Sequence, residues 1–404
     1  MKFKLILFLL MYQFSVFGQH YMPINFDTLI ESKQEIILTG IVDASSSALG
    51  FDIVNKFLFG GEITSEMKSK SLERHNNLNR FGSDANVELE YRNYKAKLFK
   101  SEEFGFLVKA GMYNFNQLIY SKDVFQLAMY GNEGFLGDTA NLSGTQFKST
   151  TFHKIGFGFI DKFSKSSVTL NLVGLNNNSS INLDRVKMYQ SADADTLKLD
   201  YRGNYNFYED AAFLRGIGIA LDFDIRLNSK NKKGDAMYFQ VMGRNLGFVS
   251  SISSQSRYSS NSQVAYTGFS YNEIINGGSI INDNVALMDS LGIEESITKN
   301  TEFLSGLVQV SKLVDVNSKR KLQEFYGGRM YLSKIAIPQV FGGVNYRPLE
   351  FLNIGASASY GGFSGLRGGA YLSYNSSKIN IGISSENLFS KIGVSYLIRL
   401  QCAF

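Results

Sequence analysis

Residues 217–228 read IGIALDFDIRLN, and every second residue of this stretch is apolar while the residues between are small, polar or charged. A β-strand points successive side chains to opposite faces, so a strand here has one wholly apolar face. The other face carries Asp222, Asp224 and Arg226. The stretch therefore predicts a strand that lies between an apolar environment and a polar one.

The same two-residue period recurs along the chain, for example in residues 87–92, 352–360 and 379–384. Two structures produce it: a soluble sandwich with an apolar core, and a membrane barrel with lipid outside and a polar lumen. Many alternating runs approach the ~9–11 residues that a tilted strand needs to cross hydrocarbon. Tyrosines and phenylalanines cluster at the ends of the runs, and the mean hydropathy is only -0.09. These features favour an all-β fold, a transmembrane antiparallel β-barrel.

The C-terminal residues 393–404, which read GVSYLIRLQCAF, supply the strongest evidence for a barrel. Their apolar face includes Tyr396, Ile398, Leu400 and the terminal Phe404. A terminal Phe on the outward face of such a strand resembles the signal that outer-membrane proteins present to the barrel-assembly machinery. We therefore expect this strand to close the barrel, with that machinery as a partner during biogenesis.

Counting the alternating runs predicts about 14 strands, within a range of roughly 12–16, and bacterial single-chain barrels favour even numbers. The runs include residues 124–131, 167–174, 181–189, 196–207 and 258–268, and residues 46–59 are a further candidate. If the C-terminus is periplasmic, the short turns at residues 347–350 and 375–378 are periplasmic as well.

Two segments interrupt the alternation. In the longer one, residues 269–335, Val285, Met288 and Leu291 stand at three-residue steps and predict a short helix. Because structureless loops of this length are uncommon in compact domains, we expect a partly helical insertion that forms a plug or a cap on the outer side. Residues 60–80 form a second, charged excursion that is also a candidate for helix.

Residues 1–19 have the pattern of a secretory signal peptide. Lys2 and Lys4 precede an apolar core that is too short for the roughly 20 residues of a membrane-spanning helix. We therefore expect cleavage, a mature barrel of residues 20–404 and a location in the outer membrane of a Gram-negative cell, in contact with its lipid.

The single cysteine, Cys402, excludes an internal disulfide framework and a lipid-anchored first residue. The net charge of +5 is spread thinly, so nucleic acid is not an expected partner.

Several short blocks resemble an uncharacterised family of Bacteroidota outer-membrane barrel proteins, which is distantly similar to the long-chain fatty-acid transporter barrels. The blocks are DASS at residues 43–46, LGFD at 49–52, NRFG at 79–82, RNLGF at 244–248, and IP with FGGVNY at 337–346. The resemblance covers most of the mature chain. It implies an outer-membrane barrel and no particular activity, because fold does not determine function.

Patterns for catalysis and metal binding are sparse. Of the three histidines, His20 lies at the expected mature N-terminus, His75 in a charged loop and His153 in a strand, and the sequence places no nucleophile beside them. The acidic runs at residues 193–195 and 282–284 lack the Gly and the closing Glu of a calcium loop. We therefore expect no enzyme activity, no cofactor and no metal site; an outer-membrane hydrolase that uses His153 is a lesser alternative.

The lumen is the remaining candidate site. The charged residues expected on the inward face are Glu88, Glu90, Arg92, Lys109, Asp222, Asp224, Arg226, Arg244, Lys391 and Arg399. Acidic and basic residues together are expected to pair across the interior. They either form a salt-bridged filling that stiffens a closed barrel, or they line a conduit or contact the plug.

Two hypotheses for function follow. The first is a channel or transporter for a small or amphipathic solute, gated by residues 269–335. The second is a non-transporting scaffold or accessory subunit of an outer-membrane secretion or assembly complex, whose other subunits would be its partners. The barrel size and the long insertion favour the first, and a filled lumen would favour the second.

Overall fold

The computed structural model describes residues 23, 33–96, 102–208, 212–230, 236–267, 292–333, 338–388 and 393–404. The strands are β1 (Gln34–Ser46), β2 (Leu78–Asn93), β3 (Phe104–Ser121), β4 (Thr139–Asn141), β5 (Thr145–Asp161), β6 (Ser167–Gln190), β7 (Leu197–Phe207), β8 (Gly216–Lys230), β9 (Ala236–Ser251), β10 (Gln255–Tyr266), β11 (Ile293–Thr298), β12 (Thr301–Phe303), β13 (Gly306–Leu313), β14 (Leu322–Leu332), β15 (Gln339–Leu349), β16 (Leu352–Gly361), β17 (Arg367–Asn375), β18 (Ile379–Ser385) and β19 (Gly393–Ala403). The helices are α1 (Phe51–Phe59), α2 (Ser65–Leu72) and α3 (Lys122–Tyr130), and a 3₁₀ turn covers Glu133–Phe135.

Fourteen strands form a closed antiparallel barrel in the order β1-β2-β3-β5-β6-β8-β9-β13-β14-β15-β16-β17-β18-β19. The last strand pairs with the first from Glu35↔Ala403 to Ser45↔Gly393, which closes the ring. Closure gives the first and last strands hydrogen-bonding partners on both sides and so removes the edges that an open sheet would leave. The predicted fold class and the predicted number of strands are both confirmed.

The two ends of the barrel differ. The end that carries Phe404, named here the C-terminal end, also carries the turn between β17 and β18, where the Ala403 N–H donates to the Lys378 carbonyl at 2.8 Å. The opposite, distal end carries the three helices and a second sheet. This distal sheet consists of the C-terminal half of β6 with β7, β10 and β11.

The outward face of the wall is apolar. On β8, Ile219 is 47% exposed, whereas Asp222 on the inward face is 1% exposed. On β5, Ile155, Phe157 and Phe159 are exposed, while Lys154, which directly precedes them and points to the other face, is buried. None of the described helices is both long and apolar enough to cross a bilayer.

Two predicted strands are helices instead. Residues 124–130 of the 124–131 run belong to α3. The helix begins after Ser121, whose hydroxyl accepts from the Val124 N–H at 3.3 Å, and it ends at Tyr130, before Gly131 with φ +78. Residues 51–59 of the 46–59 candidate form α1. Both runs are apolar on one side, and short apolar runs do not separate helix from strand by period alone. The helix expected within residues 60–80 is present as α2.

The prediction that residues 269–335 form an insertion is wrong for the second half of this range. β13 and β14 are wall strands, and β11 and β12 extend the sheet from β10 and β9. Conversely, β7 and β10 were expected in the wall but form the distal sheet. Residues 167–174 and 181–189 are parts of one strand, β6, whose register shifts at a bulge near Asn176. The predicted helix at Val285–Leu291 and the signal peptide lie outside the described residues.

Candidate functional site inside the barrel

A network of buried charges fills the middle of the barrel. Lys154 lies near the centre of β5, and its Nζ is 2.6 Å from Asp222 Oδ2 on β8 and 3.6 Å from Glu88 Oε2 on β2. Tyr113 on β3 donates to Glu88 Oε2 at 2.5 Å, and Lys154 Nζ lies 4.6 Å from the centre of its ring. Four strands therefore meet through charge-assisted hydrogen bonds and a cation–π contact.

The network continues toward the C-terminal end of the barrel. Lys109 Nζ lies 2.9 Å from Glu90 Oε2 and 3.7 Å from Glu88 Oε1. Arg92 contacts Glu90, and its Nη1 is 3.6 Å from Glu35 Oε2. We name Glu88, Glu90, Lys109, Lys154, Asp222 and Arg244 the ion-pair septum, with Arg92 and Glu35 as its extension.

A β-bulge on β9 brings two consecutive residues to the septum. The pairing of β8 with β9 shifts between Leu221↔Leu246 and Phe223↔Gly243, so Arg244 and Asn245 both stand opposite Asp222. Arg244 Nη1 lies 3.5 Å from Glu88 Oε1. The N–H of Asn245 donates to Asp222 Oδ1 at 2.8 Å, and its Oδ1 accepts from Lys154 Nζ at 2.7 Å. Asn245 has φ +55, which the bulge imposes on it.

The septum leaves little open space. The eight residues of the septum and its extension include four acidic and four basic groups, so their formal charges cancel. Lys109 and Lys154 are 2% and 1% exposed. A cavity at this level has a volume of about 50 Å³ and is lined by Glu88, Lys154 and Arg244 among others. It has room for only a few water molecules.

A second ionic group joins β1 to the short strands of the barrel. Arg367 Nη1 lies 3.0 Å from Asp43 Oδ1, and its Nη2 lies 2.8 Å from Glu386 Oε2. Arg329 also contacts Glu386, and its Nε donates to Gln339 Oε1 at 2.9 Å. This chain of contacts links the first strand of the wall to β14, β15 and β17.

An apolar cluster fills the lumen on the side of the short strands. The connection between β13 and β14 folds inward, so Val314 and Val316 are buried against Ile41, Phe325, Tyr371 and Leu397. The Val314 N–H donates to the Pro23 carbonyl at 2.8 Å. The ionic groups and the apolar cluster together occupy much of the lumen in the described part of the chain.

The distal half contains a much larger space, named here the distal cavity, of about 1380 Å³. Its lining combines outward-facing apolar residues with polar residues of the lumen. The apolar residues include Leu170, Ile219, Phe248, Phe303 and Leu332, and the polar ones include Gln117, Lys148, Asn204, Glu302 and Ser333. Contacts across the lumen join Gln117 to Ser333 at 2.7 Å and Lys148 to Glu302 at 2.7 Å.

The wall is irregular beside the distal cavity. β9 pairs with β13 up to Arg244↔Leu307 and with β12 from Phe248↔Phe303, and the residues between are not in a regular ladder. Leu304 is buried and the adjacent Phe303 is 81% exposed, as expected of successive residues in an extended chain. Between the two ladders, the Leu304 N–H donates to the Gly247 carbonyl at 2.9 Å. Residues of both faces of the wall therefore line the distal cavity at this irregular pairing.

The structure brings most of the predicted lumen residues together. Glu88, Glu90, Arg92, Lys109, Asp222 and Arg244 lie in the septum or its extension. Asp224 and Arg226 pair with each other at 3.0 Å, and Gln240 also donates to Asp224. Arg399 lines the same small cavity, and Lys391 lies outside the described residues.

Sequence reasoning missed Lys154, Glu35 and Asn245. The alternation of β5, with Ile155, Phe157 and Phe159 on one face, was sufficient to place Lys154 on the inward face. Nothing in the local pattern marks Asn245, because the bulge that turns it inward depends on the pairing with β8.

The residues considered for catalysis and metal binding have other contacts. His153 Nδ1 lies 3.0 Å from Asn176 Oδ1, and its ring stacks on Phe213 at 4.7 Å between centres. In the turn after β6, Asp195 Oδ1 accepts from the Ser191 hydroxyl at 2.8 Å. Within the described ranges there is no group of three or more His, Cys, Asp or Glu residues placed to hold a metal ion.

Comparison with protein families gives one match. A family model, described as a family of unknown function (DUF5723), matches residues 36–386. The chain belongs to this family. The matched range includes all the sequence blocks quoted above, and the family description assigns no activity. A search of the curated proteins found no match.

Solved barrels align over most of the chain at low similarity. The toluene transporter TodX of P. putida is 9% identical with a TM-score of 0.41, and the alignment covers 95% of this chain and 93% of that one. The translocator domain of the autotransporter NalP from Neisseria meningitidis is 10% identical with a TM-score of 0.32, over 94% and 91%. The monoaromatic hydrocarbon channel CymD is 9% identical with a TM-score of 0.30, over 96% and 93%. At these scores the likenesses carry no argument about function.

Proposed function

We propose that this protein is an outer-membrane barrel that takes up a small amphipathic solute through its distal cavity. The observation that carries the proposal is the distal cavity itself, with apolar residues of the outer wall and polar residues of the lumen in one lining. Binding sites for such solutes are mainly apolar concave spaces with a few polar groups that orient the ligand.

The apolar outward face supports a location in a membrane. In hydrocarbon every backbone amide must be paired within the protein, and a closed barrel achieves this without a free edge. The outward residues of β5 and β8 would meet lipid acyl chains, and the charged residues would meet the lumen. The signal-peptide pattern of residues 1–19 supports export and an outer-membrane location.

In this proposal the ion-pair septum determines the path by which the solute leaves the distal cavity. A solute in the distal cavity cannot continue along the barrel axis without separating buried ion pairs, and losing one partner of such a pair costs about 3–5 kcal/mol. The interruption between β9 and β12–β13 offers a route sideways, toward the lipid. We therefore assign the solute path from the distal end, through the distal cavity, to the outer surface of the wall.

Dye entry into membranes tests this function. N-phenylnaphthylamine, which fluoresces in apolar surroundings, is added to outer-membrane vesicles whose lipopolysaccharide slows its spontaneous entry. Wild-type protein is expected to increase the initial rate of the fluorescence rise over that of vesicles without the protein. Equal rates in the two preparations would overturn the proposal.

A matched pair of variants on β7 localises the effect. Asn204 lines the distal cavity, whereas Tyr205 lies on the opposite face of the same strand and is 40% exposed. Asn204→Phe is expected to fill part of the cavity and to remove most of the rate increase. Tyr205→Phe is expected to keep it. Equal rates for both variants would show that the dye takes another path.

A second candidate, a scaffold or accessory subunit, is favoured by the distal sheet. Among the described residues β11 pairs with β10 alone, and Glu294, Glu295 and Ser296 on it are exposed. An exposed edge strand can pair with a strand of another protein. The filled lumen is also compatible with a barrel that transports nothing.

Photo-crosslinking distinguishes this candidate. A photoreactive residue at Ile297, which is 72% exposed on β11, is compared with one at Phe163, which is 80% exposed near the C-terminal end. A stoichiometric crosslinked partner at Ile297 only, recovered in mild detergent, is the expected result for an accessory subunit. A lone monomer at both positions would argue against it.

A further inference from the structure

The three helices pack against the outside of the barrel, not in its lumen. Ala44 on β1 and Val394 on β19 are paired, and they have the outward parity of Val42, Tyr396 and Ile398. Both are buried, in a cluster that includes Ile53 and Val54 of α1 and Phe125 of α3. Helix α1 therefore covers the outer surface of the seam where the last strand meets the first.

Beyond the seam, the apolar side of α1 has no wall beneath it. Ile53 is 0% exposed, but Phe57, one helical turn later on the same side, is 53% exposed. Phe51 and Leu58 on this side are also exposed. The polar residues Asp52, Asn55 and Lys56 occupy the other side of the helix. A helix with one apolar and one polar side of this kind suits a membrane interface.

The height of α1 on the wall fits that interface. Below Val394, the outward residues of β19 continue through Tyr396, Ile398, Leu400 and Cys402 to Phe404. A strand of 11 residues is about the length that crosses hydrocarbon at a tilt. Val394 and Ala44, the residues under α1, therefore lie at the distal boundary of the lipid-facing band.

We propose that α1 is an interfacial anchor whose Phe51, Phe57 and Leu58 insert into the lipid leaflet at the distal end of the barrel. The occupant of this apolar face is lipid because the face is continuous with the outward surface of β1 and β19, which meets lipid in the proposed barrel. The anchor holds the helices over the seam and fixes the depth of the barrel in the bilayer. This inference rests on the proposed membrane location, and it does not depend on solute uptake.

The absence of Trp from the chain permits a direct test. Phe51→Trp and Phe57→Trp each introduce a single indole, and the proteins are reconstituted into phosphatidylcholine vesicles. Brominated lipid is expected to quench both, more strongly when the bromines are near the headgroup than when they are near the chain ends. The emission maximum is expected to lie at shorter wavelength than in a water-exposed position.

Two control positions separate the possible outcomes. Phe157→Trp on the outward face of β5 is expected to be quenched, with a preference for deeper bromines. Tyr266→Trp, exposed at the tip of the distal sheet, is expected to escape quenching. Quenching at Phe157→Trp without quenching at either α1 position would overturn the anchor and leave the barrel intact. Loss of quenching at Phe157→Trp as well would overturn the membrane location on which the anchor depends.

Discussion

At the scale of single residues, the role of Lys154 is the clearest, because its Nζ has three polar partners inside the barrel. Its ammonium group is fully desolvated and is compensated by Asp222, Glu88 and the amide oxygen of Asn245. A buried ion pair contributes little net stability compared with apolar packing, but breaking it leaves an uncompensated charge. We therefore expect a substitution of one septum residue to lower the stability of the barrel, and a simultaneous substitution of both partners of a pair to lower it much less.

We predict that Asp222→Asn lowers the free energy of unfolding by about 3 kcal/mol, because Lys154 loses its nearest counter-charge. Adding Lys154→Met to Asp222→Asn is expected to restore most of this loss. Denaturant unfolding in detergent, followed by the shift in gel mobility of the folded barrel, measures both variants. The control is Asp200→Asn, whose partner Arg185 is 3.0 Å away with a 47% exposed side chain, and its loss is expected to stay below about 1 kcal/mol. Additive losses in the double variant would contradict the pairing.

Asn245 gives a second prediction at this scale. Both Asn245→Gly and Asn245→Ala remove the acceptor for Lys154. Glycine adopts φ +55 without strain because it has no Cβ, whereas the Cβ of alanine clashes with the backbone at this φ. The alanine variant is therefore expected to be less stable than the glycine variant by about 1 kcal/mol. The same unfolding assay compares them. Equal stabilities would show that the bulge does not force the left-handed conformation at this position.

At the scale of elements, His75 connects the external helices to the wall. Its Nδ1 donates to the Ser71 carbonyl at 2.7 Å, so the neutral ring accepts from the Tyr120 hydroxyl at Nε2, at 3.0 Å. The ring also stacks on Phe125 of α3 at 4.0 Å between centres. Burial lowers the pKa of His75 below its ordinary value, and the hydrogen bond to Ser71 opposes this only in part.

This shift predicts that the helices loosen in acid. A histidine with a lowered pKa in the folded state contributes its full stability above the ordinary value of about 6.5, and that contribution falls as the pH decreases through this value. Amide hydrogen exchange in residues 51–75 is expected to accelerate between neutral pH and about pH 5, after correction for the intrinsic rates. In His75→Gln this acceleration is expected to be absent. An equal acceleration in the variant would assign the effect to other groups.

The C-terminal strand carries a prediction about assembly. Phe404 is 61% exposed on the outward face and Cys402 lies on the same face. If Tyr396, Ile398, Leu400 and Phe404 form the signal for the assembly machinery, Phe404→Ala is expected to lower the amount of barrel in the outer membrane several-fold. The stability of the barrel that does assemble is expected to stay unchanged. Immunoblots of outer-membrane fractions measure the amount, with Cys402→Ala as control, and an undiminished level would remove Phe404 from the signal.

At the scale of the whole molecule, the filled lumen separates this barrel from an open pore. The ion-pair septum, with a cavity of only about 50 Å³ beside it, and the apolar cluster around Val314 and Val316 fill much of the lumen. The distal cavity lies on the distal side of the septum, and in the proposed path the solute leaves it sideways. The filled lumen and the proposed sideways path lead to different predictions for ions and for amphipathic solutes.

We predict that the wild-type barrel shows no stable conductance in planar bilayers, because hydrated ions cannot cross the septum. The triple variant Glu88→Ala, Lys154→Ala, Asp222→Ala removes three septum charges and is expected to show small, discrete conductance steps. Dye entry is expected to persist in this variant, since the proposed path does not cross the septum. Large wild-type conductance would contradict a closed axis.

The sequence by itself determined the wall of this protein. A period of two is a local property, so IGIALDFDIRLN was enough to assign an apolar face to β8 and to point Asp222, Asp224 and Arg226 inward. The closing strand ending at Phe404 and a count near fourteen follow from the same pattern. The predicted inward positions of Glu88, Glu90 and Lys109 needed no knowledge of their partners.

Only the tertiary structure decided which of these charges meet and which strands belong to the wall. Lys154 and Asp222 are 68 residues apart, and they meet because β5 and β8 both pair with β6. Arg367 and Asp43 are 324 residues apart, and they meet because the ring closes between β1 and β19. The same alternation occurs in β7 and β10 of the distal sheet and in wall strands, so local period cannot separate them. Helix α1 was mistaken for part of a strand because a short apolar run has no fixed period until a surface, here the outer face of the seam, covers one side of it.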